Sequence, residues 1–386
     1  MKRWLWLAPA LAAAALAQTN SAPAREGAYW VDTVSGSVPV EDSLHVAMPG
    51  GVRIQGDGAA GVVTYSLKRR AKAGDLASAR RLLGTVVVRS HAKAGWTFLE
   101  VEAADPRRTS ADLQLHVPRR LKETAVVSSG GAIQVAGLDG SVTAETAAGA
   151  VGVEGVQGAV VVRTGGGAVR LVRIGGKVEC FSGGGTILAE SVAGEVHLKS
   201  RGGAITIRNV KAPVVARTLG GNVVVERAAG GVEVSAGAGL IDIVEAGGPV
   251  MAETGTGSIS VRAASNVHCE SGTGTIQLQA ISGGLHATTK LGSIMASFGG
   301  AKALQESALA TAMGDITVLI PSNFAVTVEA VNRSPGGRRI VSDFAEVRPR
   351  LEQGAAGTAA QGAINGGGPR LQLTASGGMI YLRRQK

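Results

Sequence analysis

Aromatic residues are scarce: Phe, Trp and Tyr make up 3% of the 386 residues. Any core must therefore be built from Val, Ile, Leu and Ala, and 45% hydrophobic residues suffice for a large one. Proline is also scarce, at 12 residues with no Gly-x-y period, which excludes a collagen-like chain. Charged residues reach only 18%, and with this much apolar content simple disorder is excluded. After the first apolar run no second one of spanning length follows, so no internal transmembrane helix is expected. What the chain has in excess is glycine, 57 residues, about twice the usual share. A chain rich in Gly and Val and poor in aromatics points to a repetitive β architecture.

The N-terminus reads as a secretory signal peptide over residues 1–17. Lys2 and Arg3 precede an apolar run from Trp4 to Ala14, and Ala15-Leu16-Ala17 fits a small-x-small cleavage site. The run is shorter than the ~20 residues a membrane span needs. No cysteine follows it, so a lipoprotein anchor is not expected. The mature chain is expected in the periplasm, on the cell surface or outside the cell.

The motif Gly-x-apolar-x-apolar begins at Gly131 and recurs at Gly149, Gly167, Gly185, Gly203, Gly221, Gly239 and Gly257, always 18 residues on. It continues at Gly274, one residue short, then at Gly292, and at Gly314, four residues long. Alternation within each unit has period 2, the signature of strands. Val142, Val160, Val178, Val196, Val214, Val232 and Val250 form one apolar column, and Leu138, Val156, Ile174, Val192 and Val210 another. No unit can bury its apolar side alone, whereas stacking units at the ~4.8 Å strand spacing buries a continuous core. The spacing predicts an all-β fold, a parallel β-helix (β-solenoid) with about 18 residues per coil. Right-handedness is the default for such crossovers. A third column, Thr146, Thr164, Ser182, Ser200, Thr218, Ala236, Thr254, Ser271, Thr289 and Thr311, shares the inward parity. It reads as a hydroxyl ladder bonding the backbone of the next coil rather than as an ice-binding array.

Residues 28–125 lack the period and read as a small β-rich N-terminal cap with one helical stretch, Ala71 to Leu83. Residues 126–320 are the regular solenoid. Residues 321–386 read as degenerate solenoid with a Gly/Ala-rich loop at 352–368.

These parts resemble the bacterial exported putative-adhesin family of unknown function. The resemblance rests on Val117-Pro118, on Gly131-Ala132-Ile133-Gln134-Val135-Ala136-Gly137-Leu138-Asp139-Gly140, on Gly314-Asp315-Ile316-Thr317-Val318 before Pro321, and on Gly367-Gly368. It covers most of residues 40–386 and implies a parallel β-helix. It carries no catalytic residues with it.

Carbohydrate-active enzymes also use β-helices, but they need paired carboxylates or acids clustered around a cation. Between 126 and 320 the only aspartates are Asp139, Asp242 and Asp315, several coils apart, and the glutamates scatter over different columns. Phe181 and Phe298 are the only aromatics in that span. Gly255-Thr256-Gly257 and Gly272-Thr273-Gly274 sit at coil bends with no helix after them, so neither is a phosphate cradle. No catalytic residue and no cofactor is expected.

One outward column runs Thr143, Val161, Glu179, His197, Val215, Glu233, Met251, His268 and His286. His268 and His286 fall on neighbouring coils, ~5 Å apart at Cβ, and are the candidate metal ligands. No third ligand is obvious, because Met251 and Glu233 lie one and two coils further. Charge is uneven: residues 126–320 carry 13 Lys+Arg and 14 Asp+Glu, so the chain's net +10 resides in the flanks and the leader. Lys68-Arg69-Arg70, Arg80-Arg81, Arg107-Arg108, Arg119-Arg120, Arg338-Arg339 and Arg383-Arg384 make the flanks basic. Anionic glycans or an envelope surface are the partners this charge suits, and export argues against nucleic acid. Cys180 and Cys269 share an inward column five coils apart, roughly 24 Å, too far for a disulfide. The expected function is that of a non-catalytic cell-envelope solenoid with an adhesin-like or structural binding role. The alternatives are a carbohydrate-active enzyme on the same scaffold and a metal-responsive envelope protein.

Overall fold

The computed structural model describes residues 18–299, 305–335, 339–351 and 357–385. The expected signal peptide lies outside the described residues. The chain is a β-solenoid of about 11 turns spaced roughly 18 residues apart, with 64% of the described residues in strands and 3% in helix. Each regular coil contributes one strand to each of two parallel stacks. Val160–Thr164, Val178–Ser182 and Val196–Ser200 follow one another in the first stack. Val151–Val156, Val169–Ile174 and Ile187–Val192 do so in the second. Both apolar columns point inward and are buried, Val142 to Val250 in the first stack and Leu138 to Val210 at or just past the C-terminal ends of the second-stack strands.

Glycine and hydroxyl columns together build one corner. The hydroxyl of Thr146 donates to Gly131 O at 3.0 Å and accepts from Gly149 N–H at 3.2 Å. Thr164 repeats this on Gly149 and Gly167, and Thr218 on Gly203 and Gly221. Where these hydroxyls bond across coils, they tie the corner to the preceding coil, not to the next one as expected, because the strand carrying the hydroxyl follows the corner it bonds. Directly above the same carbonyl sits the next glycine: a Cβ on Gly167 would lie 2.0 Å from Gly149 O. From Gly239 onward the same close approach persists, with a Cβ on Gly257 placed 2.1 Å from Gly239 O, and a second reason for glycine is added. Gly239, Gly257, Gly274, Gly292 and Gly314 have φ between 135° and 151°, a region other residues rarely adopt. Their N–H groups bond carbonyls of the next coil or of the closing bend, as Gly257 N–H does to Thr273 O at 2.7 Å.

At both ends the coil order departs from the chain order. Ser43–Met48 and Gly51–Gln55 already form a solenoid coil, parallel to Glu123–Ser128 and Ile133–Ala136. The intervening segment then places Trp96–Ala103 and Thr109–His116 outside that coil, again in parallel. Val86–Lys93 and Val62–Ala71 cover these outermost strands antiparallel, and Tyr29–Pro39 covers Val62–Ala71. The C-terminal end repeats the device. Arg370–Ala375 stacks on Ser307–Met313, and Val326–Asn332, earlier in sequence, lies outside it. Thr358–Ile364 then covers Val326–Asn332 antiparallel. An open parallel edge would template further strands, and an antiparallel cover removes it. The sole helix among the described residues, Leu76–Gly84, starts later than the sequence suggested because Val62–Ala71 remains strand; Asp75 caps it by accepting from Ser78 N–H at 2.8 Å.

The Gly/Ala-rich segment 352–368 is not one loop. Residues 352–356 lie outside the described residues, but Thr358–Ile364 is a strand with Thr358, Ala360 and Ile364 buried. Small side chains suit its position between Val326–Asn332 and Arg348–Leu351.

Candidate functional site

The outward rows hold the side chains available for chemistry. Much of the flank charge is consumed inside the fold. Strand alternation turns Arg69 inward, where it bonds Asp32 at 2.8 and 2.6 Å and Val86 O at 2.8 Å. Its neighbours Lys68 and Arg70 pair with Glu26 and Asp112. Arg119 pairs with Asp139, and Arg383 with Asp343. Lys68-Arg69-Arg70 is therefore not a free basic patch, contrary to the sequence reading, because its carboxylate partners come from strands distant in sequence. Arg338 lies outside the described residues. Exposed Arg53, Lys72, Arg80, Arg107, Arg120 and Arg170 have no carboxylate within ion-pair distance among the described residues.

Two of these cations flank a trough on the second stack where cap and solenoid meet. Ser66, Gln114, Arg53, Gln134, Gly152 and Arg170 are consecutive register partners and form one outward row. Five strand steps carry it across roughly 24 Å. Two adjoining hollows of about 390 and 460 Å³ open along it and share Arg53 and Gln134. Arg53 Nε donates to Gln134 Oε1 at 3.0 Å. The acids at the rim are already paired, Asp112 with Arg70 and Glu154 with Arg173. Gly152 forms the floor between Gln134 and Arg170. Unlike the corner glycines it has no backbone contact to explain it: a Cβ there would meet only Gln134 Cγ, at 4.0 Å. Glycine inside a strand weakens it and often marks a place where a ligand comes close. Sequence reasoning missed this trough because an inserted segment, which itself supplies Gln114, separates Arg53 from Gln134 in the chain. The one available signal was Gly152 itself, a glycine off the 18-residue column.

The first stack holds the histidines. Five of the six, His45, His91, His197, His268 and His286, lie in one outward register row. Of these, His268 and His286 are direct partners with ring centres 6.3 Å apart. His268 Nε2 lies 3.0 Å from Glu270 Oε1. Among the described residues no group of three His, Cys, Asp or Glu is placed to hold a metal ion. At the other end His91 stacks on Phe98 at 4.7 Å.

Cys180 and Cys269 are both free and buried, and burial pushes each thiol up to about 12. They are linked by five register steps, as the repeat required. Thiolate is the reactive form, so at pH 8 both should be inert. Mass spectrometry after alkylation should find neither labelled in the native protein and both labelled after unfolding without reductant.

No family model and no curated protein matches this chain. Solved structures similar to it include a putative cell adhesion protein from Clostridium sporogenes, 8% identical with a TM-score of 0.16, covering 91% of this chain and 99% of that one. A putative adhesin from Bacteroides fragilis is 14% identical with a TM-score of 0.20, covering 75% and 96%. A putative lipid binding protein from Parabacteroides distasonis is 12% identical with a TM-score of 0.26, covering 74% and 96%. The first two carry the adhesion description also borne by the family that the sequence resembles. No helix among the described residues is long and apolar enough to cross a membrane.

Proposed function

We propose that this chain is an exported, non-catalytic solenoid of the cell envelope that acts as an adhesin-like binding rod for anionic glycans. The observation that carries the reading is the trough from Ser66 to Arg170. Its Arg53 and Arg170, without a carboxylate partner among the described residues, stand on either side of the glycine floor, and Gln114 and Gln134 offer side-chain amides. Guanidinium groups recognise carboxylate and sulfate through paired donors, and side-chain amides suit sugar hydroxyls. A strand step of ~4.8 Å approximates the rise of one sugar unit, so a polymer chain lies naturally across the strands. The trough holds no free pair of carboxylates among the described residues, which supports binding without hydrolysis.

The test is retention of the mature protein on immobilised alginate at rising ionic strength. Retention should weaken steeply with salt, because exposed charges are screened beyond about 10 Å at 0.1 M. Arg170→Gln should lower affinity roughly tenfold at low salt, the scale of one charged hydrogen bond. Gly152→Gln should fill the floor and lower it similarly while leaving thermal stability unchanged. Retention insensitive to salt, or absent at low salt, would sink the proposal.

A further inference from the structure

We infer that Met251, His268 and His286 form a copper-binding site on the outer face of the first stack, independent of the glycan trough. The three residues are consecutive in one register row, so each stands one strand step from the next. A metal bound at about 2.0–2.1 Å from an imidazole nitrogen lies about 3.2 Å from the ring centre. Two rings sharing one ion at angles from tetrahedral to linear thus have centres about 5.2–6.4 Å apart. The observed 6.3 Å falls within that window without any backbone movement.

The surroundings complete the arrangement. Glu270 Oε1, 3.0 Å from His268 Nε2, is placed to accept a proton carried there. A carboxylate on one ring nitrogen fixes the tautomer and leaves the other lone pair for a metal, the usual outer partner of a ligating histidine. Beyond His286 the row continues with Ala308, which is too small to obstruct the ion. On the other side Glu233 is held by Arg217 at 2.6 Å and does not compete. Met251, one strand step from His268, is 46% exposed, and its flexible side chain can turn towards the two rings.

The donor set selects the metal. Two imidazoles bind most late divalent ions, in the order that peaks at copper. A thioether is a soft ligand that adds affinity for Cu(I) and little for Zn(II) or Ni(II). Water fills the remaining positions.

Titration of the untagged mature protein with Cu(II), followed by calorimetry and electron paramagnetic resonance, should show one tight equivalent with nitrogen hyperfine structure. Competition against a chromophoric Cu(I) chelator measures the reduced ion. His268→Ala and His286→Ala should each weaken Cu(II) at least tenfold. Met251→Leu should weaken Cu(I) about tenfold and leave Cu(II) nearly unchanged. His197→Ala, on the same row without a histidine neighbour, should change neither. All four positions face solvent, and His268→Gln serves where alanine disturbs folding. Absence of the equivalent, or its survival in both histidine variants, overturns the site. An unchanged Cu(I) affinity in Met251→Leu removes the thioether and with it the selectivity for copper.

Discussion

Val214→Asp should destabilise the protein by more than about 4 kcal/mol, while Val215→Asp should change stability by less than about 1 kcal/mol. The two residues are neighbours in the strand Val214–Thr218. Val214 is 1% exposed and lies between Val196 and Val232 in the inward column. A carboxylate there has apolar side chains above and below it and no partner, so it must be buried uncharged or force the coils apart. Val215 stands outward between His197 and Glu233. Its replacement brings one like charge near Glu233, a cost of a few tenths of a kcal/mol that the Arg217 pair screens. Urea denaturation followed by circular dichroism separates the two. Equal midpoints would contradict the assigned facing, since a one-residue slip exchanges inward and outward positions along a strand.

Gly185→Ala should cost more than about 3 kcal/mol, whereas Gly152→Ala should be neutral or stabilise by up to about 1 kcal/mol. Added to Gly185, a Cβ would stand 2.0 Å from Gly167 O, and that atom is backbone held by its own coil. It also accepts the Ser182 hydroxyl at 3.3 Å, so displacing it breaks the corner bond as well. The methyl group can be accommodated only by prising two coils apart, which the strand ladders on either side resist. At Gly152 the same methyl group meets nothing closer than 4.0 Å, the backbone is already extended, and the unfolded chain loses freedom. Calorimetric melting of both variants checks the contrast. If both alanines melt together, close backbone approach is not what fills the Gly-x-apolar-x-apolar column with glycine.

The two histidines and the two cysteines show how far a repeat reaches. Spacing alone placed His268 beside His286 and held Cys180 five coils from Cys269, because in a parallel stack residues one period apart are neighbours. Glu270 was equally readable, two residues along the same strand, but its bond to His268 depends on side-chain conformation. The one-residue shortening before Gly274 arises where Ile259–Thr273 runs as one strand, with Asn266 at φ 54° and a register shift between Ser265 and Val267. The four-residue excess before Gly314 lies between Phe298 and Ser307. Arg173 and Ser191 occupy the left-handed region with φ of 55° and 59°, in the column that Gly137 and Gly155 begin. Nothing in their side chains announces that bend.

By itself the sequence determined the β-solenoid, its coil length, the inward columns and the neighbours along each row. All of these follow from one period, and a period is a local signal that each strand carries in its own alternation. Tertiary structure alone decided the order of the coils at the two ends, the antiparallel covers, and the pairing of Arg69 with Asp32. It also decided the trough that joins Arg53 to Gly152 and Arg170. These contacts link segments separated by insertions of unrelated length, so no spacing encodes them, and they form only once the coils have stacked and left an edge to be covered.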